Sequence, residues 1–413
     1  MMEHQSGVEM KILQVNVVYN RGSTGKIVYD IHTELQKRGI DSVVCYGRRD
    51  RTKAPHVYKV CGELYSKLNN LLSRFTGWMY GGCFFSTNRL ISIINREKPD
   101  IVHLQCLNGY FINIYRLLNF LKKSNIRTVL TLHAEFMHTG GCGHALDCDK
   151  WLMGCGHCPR LREETKSLIF DRTHEAWVRM KNALSGFGDN LVVVSVSPWL
   201  MERAKRSPIM SDKKHCVIFN GIDTGLFKPY DTGELKKKHG ISDEKIVFHA
   251  TAFFNDDPNH IKGGYYVLKL AEAMRGLPVK FLIAGQYDPN IKVPENVELL
   301  GCINNQISLA EYYSMADVTL LTSRKETYSM ICVESLCCGT PVVGFKAGAP
   351  EQISIPSFSK FVQPGDIREL FTSIQVMIEK SLDKEKIALA ASKIYSKEKM
   401  VSDYIEVYND TKG

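Results

Sequence analysis

The chain has 413 residues, 44% hydrophobic and 23% charged, a globular composition on a length that suits two cores better than one. No apolar run reaches the roughly 18 residues a spanning helix needs, which argues against an integral membrane protein. The net charge of +9 is uneven, with 31 Lys and Arg against 19 Asp and Glu in residues 1–220 and a slightly acidic remainder.

A basic first half fits an anionic neighbour (a phosphorylated acceptor, a membrane surface, nucleic acid) or an ordinary solvated surface. Residues 1–10 lack the basic-then-apolar order of a secretory leader. Thirteen cysteines without such a leader point to a reducing, cytoplasmic setting.

In chain order, strands are predicted at 11–17, 100–104, 127–132 and 190–196, and a helix over 24–38 that Gly39 stops. The pattern restarts with a strand at 246–252, a helix at 264–275, and the runs VKFLIAG, DVTLLT and PVVGF. Short β-branched runs alternating with helical periodicity predict an α/β protein built on parallel sheets. The boundaries are read as 10–220 for an N-terminal domain and 221–395 for a C-terminal one, with a polar hinge within 221–243. Residues 396–413 are read as a closing helix; Met400, Tyr404 and Val407 lie at helical spacing, and the helix is predicted to return to the first domain.

Several segments carry chemistry. The loop from Asn20 to Lys26 holds a glycine turn between strand and helix, but it matches neither the Walker pattern nor G-x-G-x-x-G. Residues 64–79 place Leu64, Leu68, Leu71, Leu72, Phe75 and Met79 on one helical face, with Lys67, Arg74 and Trp78 nearby. That stripe fits the domain's own core, the favoured reading, or a membrane interface. His103 and His133 each end a strand.

The loop 134–160 holds Cys142, Cys148, Cys155 and Cys158. It is consistent with a structural zinc, a redox-sensitive thiol cluster or a packed acceptor lid. The only D-x-D, Asp147-Cys-Asp149, lies in this loop and not at a strand end.

The strongest signal is the run from Glu326 to Glu334, which follows DVTLLTSRK and opens a helix. A loop that enters a helix after a parallel strand offers unpaired N–H groups and a positive dipole end, which suit a diphosphate. Thr327, Ser329 and Met330 lie on that turn. Glu326, before the helix, is placed to meet sugar hydroxyls, and Glu334, deeper, to accept both hydroxyls of a ribose.

The block ADVTLLTSRKETYSMICVESLCCGTPVVGFKAGAPEQI resembles the donor-binding signature of glycosyltransferase family 4, the large retaining GT-B family. Its Glu-x7-Glu pair falls on Glu326 and Glu334. With GSTGKIVYDI at 22–31, NGYFINIYRLL at 108–118 and the cysteine-rich loop, the chain is similar to the colanic-acid and exopolysaccharide subgroup from Lys11 to about Tyr408.

The resemblance implies two Rossmann-like domains facing each other across a cleft. It implies Lys262 on the donor's diphosphate, His133 reaching toward the transferred sugar, and Gly22, Ser23 and Gly25 facing donor and acceptor. Many relatives carry an arginine after the strand at 246–252; here HATAFF stands at 249–254, and Arg324 or the loop amides are the candidate substitutes.

The implied activity is metal-independent, configuration-retaining transfer of a hexosyl unit. The donor would be a nucleotide-diphosphate sugar. The acceptor would be a saccharide or lipid-linked saccharide, in surface polysaccharide synthesis. Under the second reading of the 64–79 stripe, the chain would make peripheral contact with the inner face of the membrane. The alternatives are a GT-B sugar-nucleotide epimerase and a non-enzymatic basic binding protein. A nucleic-acid partner is not expected, because aromatic-flanked basic runs are absent.

Overall fold

The computed structural model describes residues 10–410. Residues 1–9, read above for a leader, and 411–413, assigned to the closing helix, lie outside the described residues. The chain divides into two compact units, residues 10–219 with 400–410, and residues 220–399.

The first unit holds seven parallel strands: β1 (Lys11–Asn16), β2 (Asp41–Tyr46), β3 (Val57–Lys59), β4 (Ile101–Leu104), β5 (Arg127–Leu132), β6 (Leu191–Ser195) and β7 (Lys214–Val217). Their order across the sheet is β3-β2-β1-β4-β5-β6-β7. β6 is buried at every residue, as expected where helices cover both faces of a parallel sheet. Helices α1 (Gly22–Lys37), α2 (Glu63–Thr76) and α3 (Phe84–Glu97) follow β1 and β3.

The second unit holds β8 (Lys245–Phe254), β9 (Val279–Tyr287), β10 (Val297–Gly301), β11 (Val318–Leu321), β12 (Val342–Phe345) and β13 (Ser359–Val362), in the order β10-β9-β8-β11-β12-β13. Its core joins Val247, Phe254, Phe281, Val318 and Val343 from the strands to Val267, Leu270, Leu370 and Ile374 from the covering helices.

The helix Lys397–Asp410 belongs largely to the first unit, where Met400, Val401, Tyr404 and Tyr408 pack on Ile12, Ile27, Ile31, Leu35 and Val129. Its tyrosines also satisfy buried polar groups. The Tyr408 hydroxyl lies 2.8 Å from His103 Nδ1, His103 Nε2 lies 2.8 Å from Thr131 Oγ1, and Thr131 meets the Tyr404 hydroxyl at 2.9 Å. Burial pushes the His103 imidazole down to about 3, so it is neutral at physiological pH. His103 is a packing and hydrogen-bonding residue of this core.

One reading of the sequence is overturned. The apolar stripe of α2 is not core: Leu64 is 82% exposed, and Leu68, Leu71, Leu72 and Phe75 are about half exposed. The helix seats its polar side inward, with Ser66 Oγ donating to Gly109 O at 2.9 Å and Ser73 Oγ donating to the Tyr110 hydroxyl at 3.2 Å. Of the stripe, Met79 alone is buried, beyond the helix end at Gly77.

Tyr404→Phe, which removes only the bond to Thr131, is expected to lower the stability of the first unit by about 1 kcal/mol. Tyr404→Ala, which also opens a cavity, is expected to cost about 3–5 kcal/mol. Urea denaturation of the two variants checks the difference.

Candidate functional site

In an open parallel sheet, the loops leaving two neighbouring strands part company where the strand order reverses, and a crevice opens at the strands' carboxyl ends. In the second unit that place lies between β8 and β11. The chain leaving β8 reaches Lys262 and Gly263 before the helix Gly264–Ala273, and the chain leaving β11 reaches Arg324 and Glu326. The structure ties the two loops together: Arg324 N donates to Ile261 O at 2.9 Å, and Thr322 Oγ1 donates to Lys262 O at 3.2 Å. Gly263 makes this approach possible. It sits at φ +67°, and a Cβ there would lie 2.1 Å from Thr322 O.

The result is a short ion pair, Lys262 Nζ to Glu326 Oε1 at 2.6 Å, with the two side chains 32% and 17% exposed. Glu326 is held from behind. Its N–H donates to Ala347 O at 2.9 Å, and its carbonyl accepts from Ala349 N at 3.2 Å. The Glu351 carboxylate in turn accepts from Ala347 N and Gly348 N at 2.9 and 3.0 Å, which orders the strip that Glu326 pairs with. Arg324, by contrast, is exposed.

The turn 327–329 is buried and ends in a capped helix, Met330–Cys337. Ser329 Oγ accepts from Cys332 N at 3.3 Å. The N–H groups of Met330 and Ile331, in the first turn, have no acceptor within the helix, so they and the dipole end are available to an anion. Glu334 lies one turn further along. Its Oε2 accepts from the Tyr313 hydroxyl at 3.0 Å, and burial raises its carboxyl to about 7 against the lowering effect of that bond. A carboxyl so poised is half-protonated near neutrality and gains charge when hydroxyl donors reach it. Tyr313 and Glu351 were not singled out from the sequence; each lies in a run whose polarity says nothing of its partner.

The strand order of the first unit reverses between β1 and β4. Gly22 and Ser23 lie exposed at the mouth of α1, with Gly22 at φ +63°. Gly25 is buried beneath them, where a Cβ would come within 2.9 Å of Val18 Cγ2. His133, just past β5, is half-buried, and burial lowers its imidazole to about 4. Its Nε2 lies 3.1 Å from Gln105 Oε1, and Gln105 Nε2 donates to Gln14 Oε1 at 2.9 Å. A polar chain Gln14–Gln105–His133 therefore crosses the ends of β1, β4 and β5. Gln105 is one partner that orients His133.

The zinc reading of Cys142, Cys148, Cys155 and Cys158 is not supported. Among the described residues no group of three or more His, Cys, Asp or Glu side chains is arranged to hold a metal ion. The four cysteines line one small cavity, but the Cys142 and Cys158 thiols are hydrogen-bonded to each other and Cys155 Sγ accepts from Gly140 N at 3.2 Å. The loop is ordered by other means. Trp151 is buried at its centre and donates from Nε1 to Cys148 O at 2.7 Å. Buried Glu135 accepts from Ala145 N at 2.7 Å and pairs with Arg203.

Comparison with known proteins agrees with this architecture. Residues 24–226 match the family model described as Glycosyltransferase Family 4, and residues 246–380 match the one described as Glycosyl transferases group 1. The chain is 24% identical, over 97% of its length and 100% of the relative's, to an Escherichia coli K12 protein named "Putative colanic acid biosynthesis glycosyl transferase WcaC". It is 27% identical over 54% of its length, and 61% of the relative's, to the N-acetyl-alpha-D-glucosaminyl L-malate synthase of Bacillus anthracis.

Among solved structures, the sucrose-phosphate synthase of Thermosynechococcus elongatus superposes with a TM-score of 0.66 at 15% identity, covering 97% of this chain and 98% of that one. Anabaena HepE, solved in complex with UDP-glucose, superposes with a TM-score of 0.63 at 15% identity, covering 97% and 100%. Two Rossmann-like parallel sheets, each with its strand order reversing over the site residues, and two family models that between them span most of the chain lead to one conclusion: this protein belongs to glycosyltransferase family 4 and has the GT-B fold.

Proposed function

We propose that the chain transfers a hexosyl unit from a nucleotide-diphosphate sugar to a saccharide or lipid-linked saccharide, with retention of configuration, in surface polysaccharide synthesis. The observation that carries this reading is the Lys262–Glu326 pair at the strand-order reversal of the second unit, beside the capped helix mouth at Ser329. An ammonium and a row of N–H groups suit a diphosphate, and a carboxylate beside them suits the hydroxyls of the sugar that the diphosphate carries. The full-length likeness to WcaC supports a polysaccharide product, and the UDP-glucose complex of the HepE structure supports a sugar-nucleotide donor.

In this reading the ribose rests on Glu334 and the diphosphate on Lys262 and the turn formed by Thr327, Ser329 and Met330. Gly22, Ser23, Gly25 and His133 belong to the acceptor side and the transferred sugar. His133, neutral at pH 7, can exchange hydrogen bonds with hydroxyls without placing a second cation beside the sugar. The bond between the anomeric carbon and the diphosphate oxygen breaks, and the acceptor oxygen bonds that carbon on the same face. The acceptor's proton passes to the departing phosphate oxygen. Lys262 and the aligned N–H groups balance the developing negative charge, so no divalent metal is required by this route. The thirteen unbridged cysteines fit a reducing, cytoplasmic setting.

Lys262→Ala and Glu326→Ala are each expected to lower kcat/KM by about 10²–10³, as loss of one charge-stabilising group does. Transfer from a panel of UDP-, GDP- and ADP-sugars, followed with EDTA present throughout, checks this; near-normal turnover in Glu326→Ala would remove the assigned role. Donor affinity is expected to fall as pH drops below about 7, by at most tenfold per unit, because the ribose needs Glu334 as an acceptor and protonation removes that capacity. Calorimetric titration between pH 5.5 and 8.5 measures it (the range being about 1.5 units either side of the Glu334 value), and Glu334→Gln should flatten the profile. Gly263→Ala is expected to separate the two loops at a cost of about 1–3 kcal/mol and to weaken donor binding even though it removes no polar group. Its melting temperature and donor affinity should fall together.

A further inference from the structure

Helix α2 is folded inside out. Ser66, Asn69 and Ser73, on one face, bond to Gly109 O, Cys83 N and the Tyr110 hydroxyl, while Leu64, Leu68, Leu71, Leu72 and Phe75 point to solvent. The apolar surface does not stop at the helix. Phe84 and Phe85 open α3 at 52% and 78% exposure, and the Phe85 ring lies 6.0 Å from that of Tyr65. On the other side, Leu168 N donates to Arg74 O at 2.8 Å and brings exposed Ile169 and Phe170 alongside. A cavity of about 510 Å³, walled by Leu68, Leu72, Trp78 and Phe84, continues the apolar face inward. Isolated apolar residues on a surface need no explanation; a contiguous set of nine large ones does.

The charge around this face is mostly positive; Asp171, beside Phe170, turns its carboxylate to Cys158 N and to the N–H and hydroxyl of Thr173. Residues 64–89 contain Lys67, Arg74 and Arg89 and no Asp or Glu. Arg172 and Arg179 stack on the Trp78 ring at 4.2 and 4.0 Å, within reach of the same surface. Glu63, at the start of α2, is neutralised by Arg48 at 3.1 Å and Lys59 at 3.7 Å.

We infer that this face of the first unit docks on a lipid bilayer bearing anionic headgroups, with α2 lying in the plane of the interface, its leucines among the acyl chains and its basic residues at the phosphates. No helix among the described residues is long and apolar enough to cross a membrane, so the contact is peripheral. A second copy of this chain is a poor occupant, because a two-fold contact would set these cations against their own equivalents. A bilayer supplies apolar depth and negative charge at once, in the geometry that an exposed amphipathic helix with a cationic rim matches. The inference stands on the surface of the first unit and does not depend on the donor assignment above.

The test is co-sedimentation of the full chain with vesicles of phosphatidylcholine, alone or mixed with phosphatidylglycerol. The expected result is binding to the mixed vesicles that weakens as salt rises and is about tenfold lower on phosphatidylcholine alone. Leu64→Glu with Leu71→Glu should abolish binding while keeping the wild-type melting temperature, because both side chains are already exposed. Lys67→Glu with Arg74→Glu should remove the preference for the anionic lipid. Failure of the wild type to bind either vesicle, or unchanged binding by the leucine variant, overturns the inference. So does a wild-type dimer in sedimentation equilibrium that the leucine variant dissolves, since a second copy would then be what covers the face.

Discussion

Parallel pairing leaves every loop that follows a strand at the same edge of the sheet, and the whole arrangement of functional side chains follows from that constraint. Where the strand order reverses, the loops after β8 and β11 part company, yet they remain bonded to each other through Ile261, Lys262, Thr322 and Arg324. Lys262 and Glu326, 64 positions apart in the chain, meet because each lies on the loop that leaves its strand's carboxyl end. The same rule operates between β1 and β4, where the mouth of α1 and the Gln14–Gln105–His133 chain lie at the carboxyl ends of their strands.

The magnitudes separate groups that hold the fold from groups of the candidate site. An ion pair with partial access to water contributes about 0–1 kcal/mol, so Lys262 and Glu326 are weak stabilisers of the fold. Glu334 carries a cost, since burial disfavours its charge and only Tyr313 offsets it. The stabilising work is done elsewhere, by fully buried side chains worth about 1.5–3 kcal/mol each, such as Val247, Phe281 and Leu370 in one unit and Ile12, Ile31 and Tyr404 in the other. His103 illustrates the division. It ends a strand as His133 does, but it is enclosed by tyrosines of the last helix and has no access to a substrate.

The first unit also exposes surface that folding alone would not favour. An apolar face left in water forgoes the gain that burying the same leucines would bring, while two serines and an asparagine occupy the inner side of α2. The cysteine-rich loop shows the opposite economy: Cys142 and Cys155 pack into a small core around Trp151, and a buried carboxylate–arginine pair fixes the loop's path.

The sequence alone determined the alternation of strands and helices, the strands around 11–16, 127–132 and 191–195, the helix after Gly263, and the Glu326 and Glu334 positions with the family they resemble. These signals are local: a run of β-branched residues, a 3.6-residue period, a fixed spacing of acids. The edge strands β3 and β7 were not legible, because short strands at a sheet edge are half-exposed, carry no continuous apolar run, and take their register from β2 and β6. Tertiary structure alone decided three further matters. It set which side of α2 faces inward, for helical spacing defines a face without saying what it meets. It separated His103 from His133, which end neighbouring strands alike and differ only in what packs over them. And it showed that four cysteines close in sequence converge on one cavity without the arrangement a metal requires, because the directions of their side chains depend on the backbone around Trp151 and not on their spacing.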